Sequence, residues 1–150
     1  MTPESQLRHR NLYHHVILER SKSLRHRGKT DPIDRIHRGH IPACGDQIEI
    51  TLKFSPGNHQ IEDIKFDGYG CALSISSADL MSEALVGKTS DQALALIQKF
   101  EAMMRGEGEF PHEFRILNVM KGIAQSPARI KCAILPWHTV KIALQPSQLP

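Results

Sequence analysis

Two stretches of alternation set back to back, followed by a change of period, limit what this chain can fold into. Residues 47–54 read Gln-Ile-Glu-Ile-Thr-Leu-Lys-Phe, so Ile48, Ile50, Leu52 and Phe54 fall on one face. That is the period-two pattern of a half-buried strand. Ser55-Pro56-Gly57-Asn58 has turn composition. Residues 60–69 alternate again, less cleanly, through Ile61, Ile64 and Phe66. Two adjacent strands across a short polar turn predict an antiparallel hairpin. From Ala72 onward the period is helical, with Leu73, Ser77, Met81, Ala84 and Leu85 on one face. Gly87 is placed to end that helix in a left-handed conformation. Thr89 and Gln92 match a capping box for a second helix, whose stripe is Ala93, Ile97, Phe100 and Met104.

The flanks complete the pattern. Leu7, Tyr13, Val16 and Ile17 mark a helix over residues 5–22. Gly28 and Pro32 punctuate an irregular basic loop that runs to about residue 40. Residues 105–112 form a loop and 113–121 a short helix. Pro127 opens a final helix, which Pro136 is expected to kink or restart. Helix, hairpin, then helices gives an α+β fold, a small antiparallel sheet of two to three strands packed against about five helices. The order is not βαβ, which excludes a doubly wound nucleotide-binding sheet.

Composition bounds the function. The 150 residues are 40% hydrophobic and 23% charged, ordinary usage for one domain with a real core. The expectation is a single domain over 1–150 with a basic N-terminal helix and loop (about 1–40). No run of eighteen apolar residues is present, and Met1 to Arg10 is too polar for a signal peptide. A soluble cytoplasmic protein without a membrane partner is expected. Residues 1–40 hold nine Lys/Arg against four Asp/Glu, while the whole chain has a formal net charge of only +3. A basic arm of this kind predicts an acidic partner. Arg20, Lys22, Arg25, Arg27 and Lys29 could meet phosphates. They lack the interleaved aromatics that stack bases, so nucleic acid is not the favoured partner. Gly106-Glu107-Gly108 is acidic and is no phosphate loop.

Three cysteines, Cys44, Cys71 and Cys132, are too few and too far apart for a secreted disulfide framework. Cys44-Gly45-Asp46 places a thiol and a carboxylate two residues apart, with a glycine that lets both point at one centre. Cys71 lies at the junction of the second strand and the next helix, where the helix dipole favours thiolate. Cys132 has Arg129 and Lys131 beside it, and their charge is expected to act in the same direction. Three thiolates and one carboxylate would make a four-ligand site for zinc or an iron–sulfur cluster. Spacing alone leaves the alternative open that these are inert core thiols. His37 and His40, near Cys44, read either as ligands or as part of the solvated basic loop, and Met103-Met104 reads as core.

Ala43-Cys44-Gly45-Asp46, the run from Ile61 through Gly68-Tyr69-Gly70-Cys71-Ala72, and Ala128-Arg129-Ile130-Lys131-Cys132-Ala133 occur in this order. Together they resemble the NifU/IscU/SufU family of iron–sulfur cluster assembly proteins, over about Leu12 to Leu144. Leu12-Tyr13, Ser76-Ser77-Ala78 and Gly87-Lys88 fit too. IscU-type members carry a histidine immediately before the third cysteine, where this chain has Lys131. The segment 105–121 is similar to the extra segment of SufU-type members, so the resemblance is closest to SufU. It implies that Cys44, Asp46, Cys71 and Cys132 surround one metal, either tightly held zinc or a transient [2Fe–2S] cluster. It implies a SufS-like cysteine desulfurase as sulfur donor, and downstream iron–sulfur assembly proteins or apo-protein acceptors as recipients. Cys44, on a Gly/Pro-flanked loop, is the expected sulfur acceptor, with Arg129 and Lys131 supporting thiolate or persulfide charge. Two further readings stand beside this one. One is a strict zinc-dependent sulfurtransferase that never holds a cluster. The other is a zinc-stabilised module whose basic arm binds nucleic acid.

Overall fold

The computed structural model describes residues 2–145, apart from the side chains of 5–11, 58 and 125, so Leu7's part in the first helix face lies outside it. The elements are α1 (Pro3–Lys22), β1 (Arg35–Ile41), β2 (Asp46–Phe54), a 3-10 turn (Pro56–Asn58) and β3 (Ile61–Tyr69). They continue with α2 (Ala72–Leu85), α3 (Ser90–Met104), a 3-10 stretch (His112–Gln125) and α4 (Pro127–Ala143). The sheet is antiparallel in the order β1-β2-β3, with helices against it. The α+β reading and the β2–β3 hairpin hold. The capping box at Thr89 and Gln92 is formed, and Gly87 has φ +84°.

The third strand, β1, differs from the expected irregular basic loop. Pairing in register with Leu52, Ile50 and Ile48 puts Arg35, His37 and Gly39 on the core side of the sheet. Those residue types carry no apolar alternation, so the pattern is silent where the strand exists. Gly39 is required by packing. A Cβ there would lie 2.1 Å from Thr139 Oγ1 on α4. The basic segment before β1 is also tied down. Gly28 N–H donates to the Phe66 carbonyl, and Phe66 N–H donates to that of His26. Thr30 N–H donates to Thr51 Oγ1 at 2.9 Å. Lys29 and Arg38 flank Glu49 at 3.3 and 2.7 Å. This crossing covers the outer face of β2, which is why Glu49 and Thr51 are buried although they alternate with the core residues.

Helix α2 is buried on more than the one predicted face: every residue from Ser74 to Ser82 is inaccessible or nearly so. Its serines and alanines are small enough for close approach on all sides, and their hydroxyls find carbonyls. Helix α4 runs through Pro136 without a break, against the expected kink or restart. Proline has no N–H to give the carbonyl four residues earlier, here that of Cys132. The Ser74 hydroxyl lies 3.2 Å from that oxygen, and the Ser77 hydroxyl donates to the next carbonyl, Ala133, at 2.5 Å. Ser77 also accepts from Trp137 Nε1 at 3.0 Å, and Trp137 stacks on Phe100 at 4.1 Å between centroids. The Cys132 carbonyl that proline leaves without an N–H thus lies beside Ser74, and Ser77 ties the next carbonyl of α4 to α2.

Helix α1 has little apolar surface to bury. Ile17 is in the core, Tyr13 is half-buried, and Leu12 and Leu18 are exposed. Its main anchor is polar: Arg20 pairs with Asp79, fully buried on α2, at 3.1 Å, and with Glu83. No helix among the described residues is long and apolar enough to cross a membrane.

Removing one partner of a buried ion pair strands the other charge. Arg20→Ala is therefore expected to lower unfolding stability by about 3 kcal/mol, read as a lower urea midpoint. An unchanged midpoint would show that α1 is held by other contacts.

Candidate metal centre

The three cysteine-bearing segments meet at one end of the sheet. Cys44 lies at the tip of the β1–β2 hairpin, where its N–H and that of Gly45 donate to the Ile41 carbonyl. Gly45 adopts φ +78°, a conformation that favours glycine, and Asp46 then opens β2. Cys71 ends the β3 connection and stands at the N-cap of α2. Cys132 lies in the second turn of α4, exposed less than Cys44 and Cys71.

One ligand atom from each of Cys44, Asp46 and Cys132 lies within 4.8 Å of the others. Zinc–sulfur and zinc–oxygen bonds of about 2.3 and 2.0 Å make tetrahedral edges of about 3.5–3.8 Å, so a small closure brings this trio onto one ion. Cys71 is outside that trio but adjoins it. Its N–H donates to Asp46 Oδ1 at 3.1 Å, and its Sγ lies 3.7 Å from Ser74 Oγ. Two soft thiols, a hard carboxylate and a third thiol alongside form a donor set suited to zinc or to iron in a sulfide cluster.

The Cys132 thiol and the Asp46 carboxyl are shifted in opposite directions. Burial pushes the Cys132 thiol up to about 12, and Cys71, Asp46 and Cys44 around it act in the same direction. Arg129 and Lys131, expected to draw it toward thiolate, do not reverse this direction. Arg129 is exposed and its charge acts on Tyr13 of α1, while Lys131 is exposed beside it. Asp46 goes the other way. Burial to 4% exposure opposes its charge, but hydrogen bonds from Ser74, Cys71 and Cys132 outweigh that and hold the carboxyl below its usual range.

His37 and His40 do not join the centre. They sit three apart on β1 and so on opposite faces of the strand. Among the described residues the metal-capable group is Cys44, Asp46 and Cys132. Met103 and Met104 are core, as expected.

Pattern reading missed two residues of the centre. Ser74 Oγ lies 2.6 Å from Asp46 Oδ2. Gly70 packs so closely that a Cβ there would lie 3.1 Å from Asp46 Cγ. The available signal was position. Ser74 is three residues after Cys71 and shares its side of the first helical turn.

Comparison with known proteins agrees with the geometry. The family model for the NifU-like N terminal domain matches residues 12–146. An iron–sulfur cluster assembly scaffold protein IscU of Streptococcus pyogenes is 38% identical, over 95% of this chain and 87% of its own length. The zinc-dependent sulfurtransferase SufU of Bacillus subtilis is 34% identical, over 87% of each chain. A crystal structure from Fervidobacterium islandicum, described as a candidate iron–sulfur cluster assembly scaffold for the SUF system, superposes with TM-score 0.80 at 34% identity, over 87% of this chain and 94% of that one. With a family match across nearly its whole length and relatives above 30% identity, the chain belongs to the NifU-like N-terminal domain family.

Proposed function

We propose that this chain is an iron–sulfur cluster assembly protein of the SufU type, acting as one domain over residues 1–150. It accepts persulfide sulfur from a cysteine desulfurase and relays it, or builds a cluster, at a centre formed by Cys44, Asp46, Cys71 and Cys132. The observation that carries this reading is the convergence of Cys44, Asp46 and Cys132 within 4.8 Å, from a hairpin tip, a strand start and a helix. Core thiols have no reason to gather around a buried carboxylate. The SufU and IscU relatives support the function class.

Zinc, held by those four residues, would compensate their negative charge and keep the thiolates formed at neutral pH. Cys44 and Cys71 are both exposed, and Cys44, on the hairpin tip, is the sulfur assigned to meet a partner's persulfide. Its thiolate attacks the terminal sulfur of the desulfurase Cys–S–SH group. A new S–S bond forms as Cys44–S–SH, the old one breaks, and the desulfurase leaves as thiolate. Lys131, in place of an IscU-type histidine, favours sulfur relay with zinc over cluster holding. Recipients are downstream iron–sulfur assembly proteins or apo-protein acceptors. The exposed Lys22, Arg25, Lys29 and Arg38 supply the charge for docking, and cytoplasmic location fits a chain that depends on free thiols.

Metal and acid-labile sulfide content of aerobically purified protein tests this. About one zinc per chain without sulfide is expected, lost in Asp46→Ala and Cys132→Ala. Iron with sulfide, better retained in Asp46→Ala, would favour the scaffold role. No metal in any form would refute the shared centre.

The pH dependence has a definite sign. Burial and the groups around it push the Cys132 thiol up to about 12, so zinc binding at neutral pH displaces its proton. Apparent zinc affinity from chelator competition should rise at least about tenfold per pH unit between pH 7 and 8.5. A flat profile would mean Cys132 is not a ligand.

A further inference from the structure

Ser74 is where three parts of the candidate centre meet. It is fully buried in the first turn of α2. Its Oγ lies 2.6 Å from Asp46 Oδ2, 3.2 Å from the Cys132 carbonyl oxygen and 3.7 Å from Cys71 Sγ. A hydroxyl has one proton to give. A charged acceptor at 2.6 Å outcompetes a neutral one at 3.2 Å, so the proton belongs to Asp46. The Cys132 carbonyl is open to Ser74 because Pro136, four residues on, has no N–H for it. Asp46 is therefore gripped at both oxygens, Oδ1 by the Cys71 N–H and Oδ2 by Ser74. Gripping both fixes the plane of the carboxyl group.

We infer that Ser74 is a positioning residue, which sets the Asp46 carboxylate for zinc. The inference rests on the metal-centre reading above. Outer groups that orient a ligand change metal affinity by about 10–100-fold without touching the ion. Ser74 has the features of such a group: it is buried, it bonds the one hard ligand, and it sits between the two cysteines of α2 and α4.

The test is a double-mutant cycle read by zinc competition against a chelator, with Ser74→Ala, Asp46→Ala and the pair. Ser74→Ala is expected to weaken zinc binding by about 10–100-fold in the natural sequence. In the Asp46→Ala background it should cost no more than about twofold, because the group it acts through is gone. Equal losses in both backgrounds would overturn the inference, as would undiminished binding in Ser74→Ala. Ser74→Thr, which keeps the hydroxyl, should hold affinity within about threefold of the natural protein; the same loss in Thr as in Ala also overturns it. A second readout needs no metal. In metal-free protein the Cys71 amide proton, bonded to Asp46 Oδ1, should change its NMR shift in Ser74→Ala and not in Ser74→Thr. An unmoved amide contradicts positioning. A natural protein that binds no zinc while its Cys71 amide still responds to Ser74→Ala would refute the metal reading and leave the positioning of Asp46 standing.

Discussion

A carboxylate with 4% exposure at the first residue of β2 has to be held by donors, and those donors organise this end of the molecule. Asp46 takes one hydrogen bond from the Cys71 backbone and one from Ser74, so the start of β2 is fastened to the start of α2. Ser77, one turn further along, donates to the Ala133 carbonyl, which fastens α2 to α4. Loss of the carboxylate would remove the shared acceptor from a junction of three elements. The same junction carries all three cysteines. Structure and candidate chemistry therefore depend on one buried charge.

That charge also acts on the Cys132 thiol. Asp46 is held ionised by its donors while Cys132 is pushed toward the neutral thiol by burial and by the negative groups near it. A partly buried cluster tolerates one negative charge with hydrogen bonds and resists a second. A divalent cation reverses this balance, since it favours each added thiolate. Cys44 is exposed on the hairpin tip, which suits exchange with a partner protein.

Much of the fold was legible because apolar periodicity and caps are local signals. β2, β3, α3 with its capping box, and the left-handed Gly87 all follow from spacing. β1 was hidden because its core side carries Arg35, His37 and Gly39, and a glycine pressed against Thr139 leaves no hydrophobic mark. The unbroken α4 was hidden because the α2 residues that pack against its proline turn, Ser74 and Ser77, lie more than fifty residues earlier. At the centre, Cys44-Gly45-Asp46 announced itself by composition. Ser74 did not, since a serine in a helix has many ordinary roles. The direction of the Cys132 shift was also misread, because sequence neighbours point outward from α4 while the groups that decide it come from other elements.

The central claim is that three cysteines and one aspartate, from four places in the chain, surround one ion. X-ray absorption at the zinc edge of zinc-loaded protein tests it most directly. The account predicts three sulfur scatterers at about 2.3 Å and one oxygen at about 2.0 Å. A shell with two sulfurs or fewer, or with the imidazole signature of histidine, would contradict it.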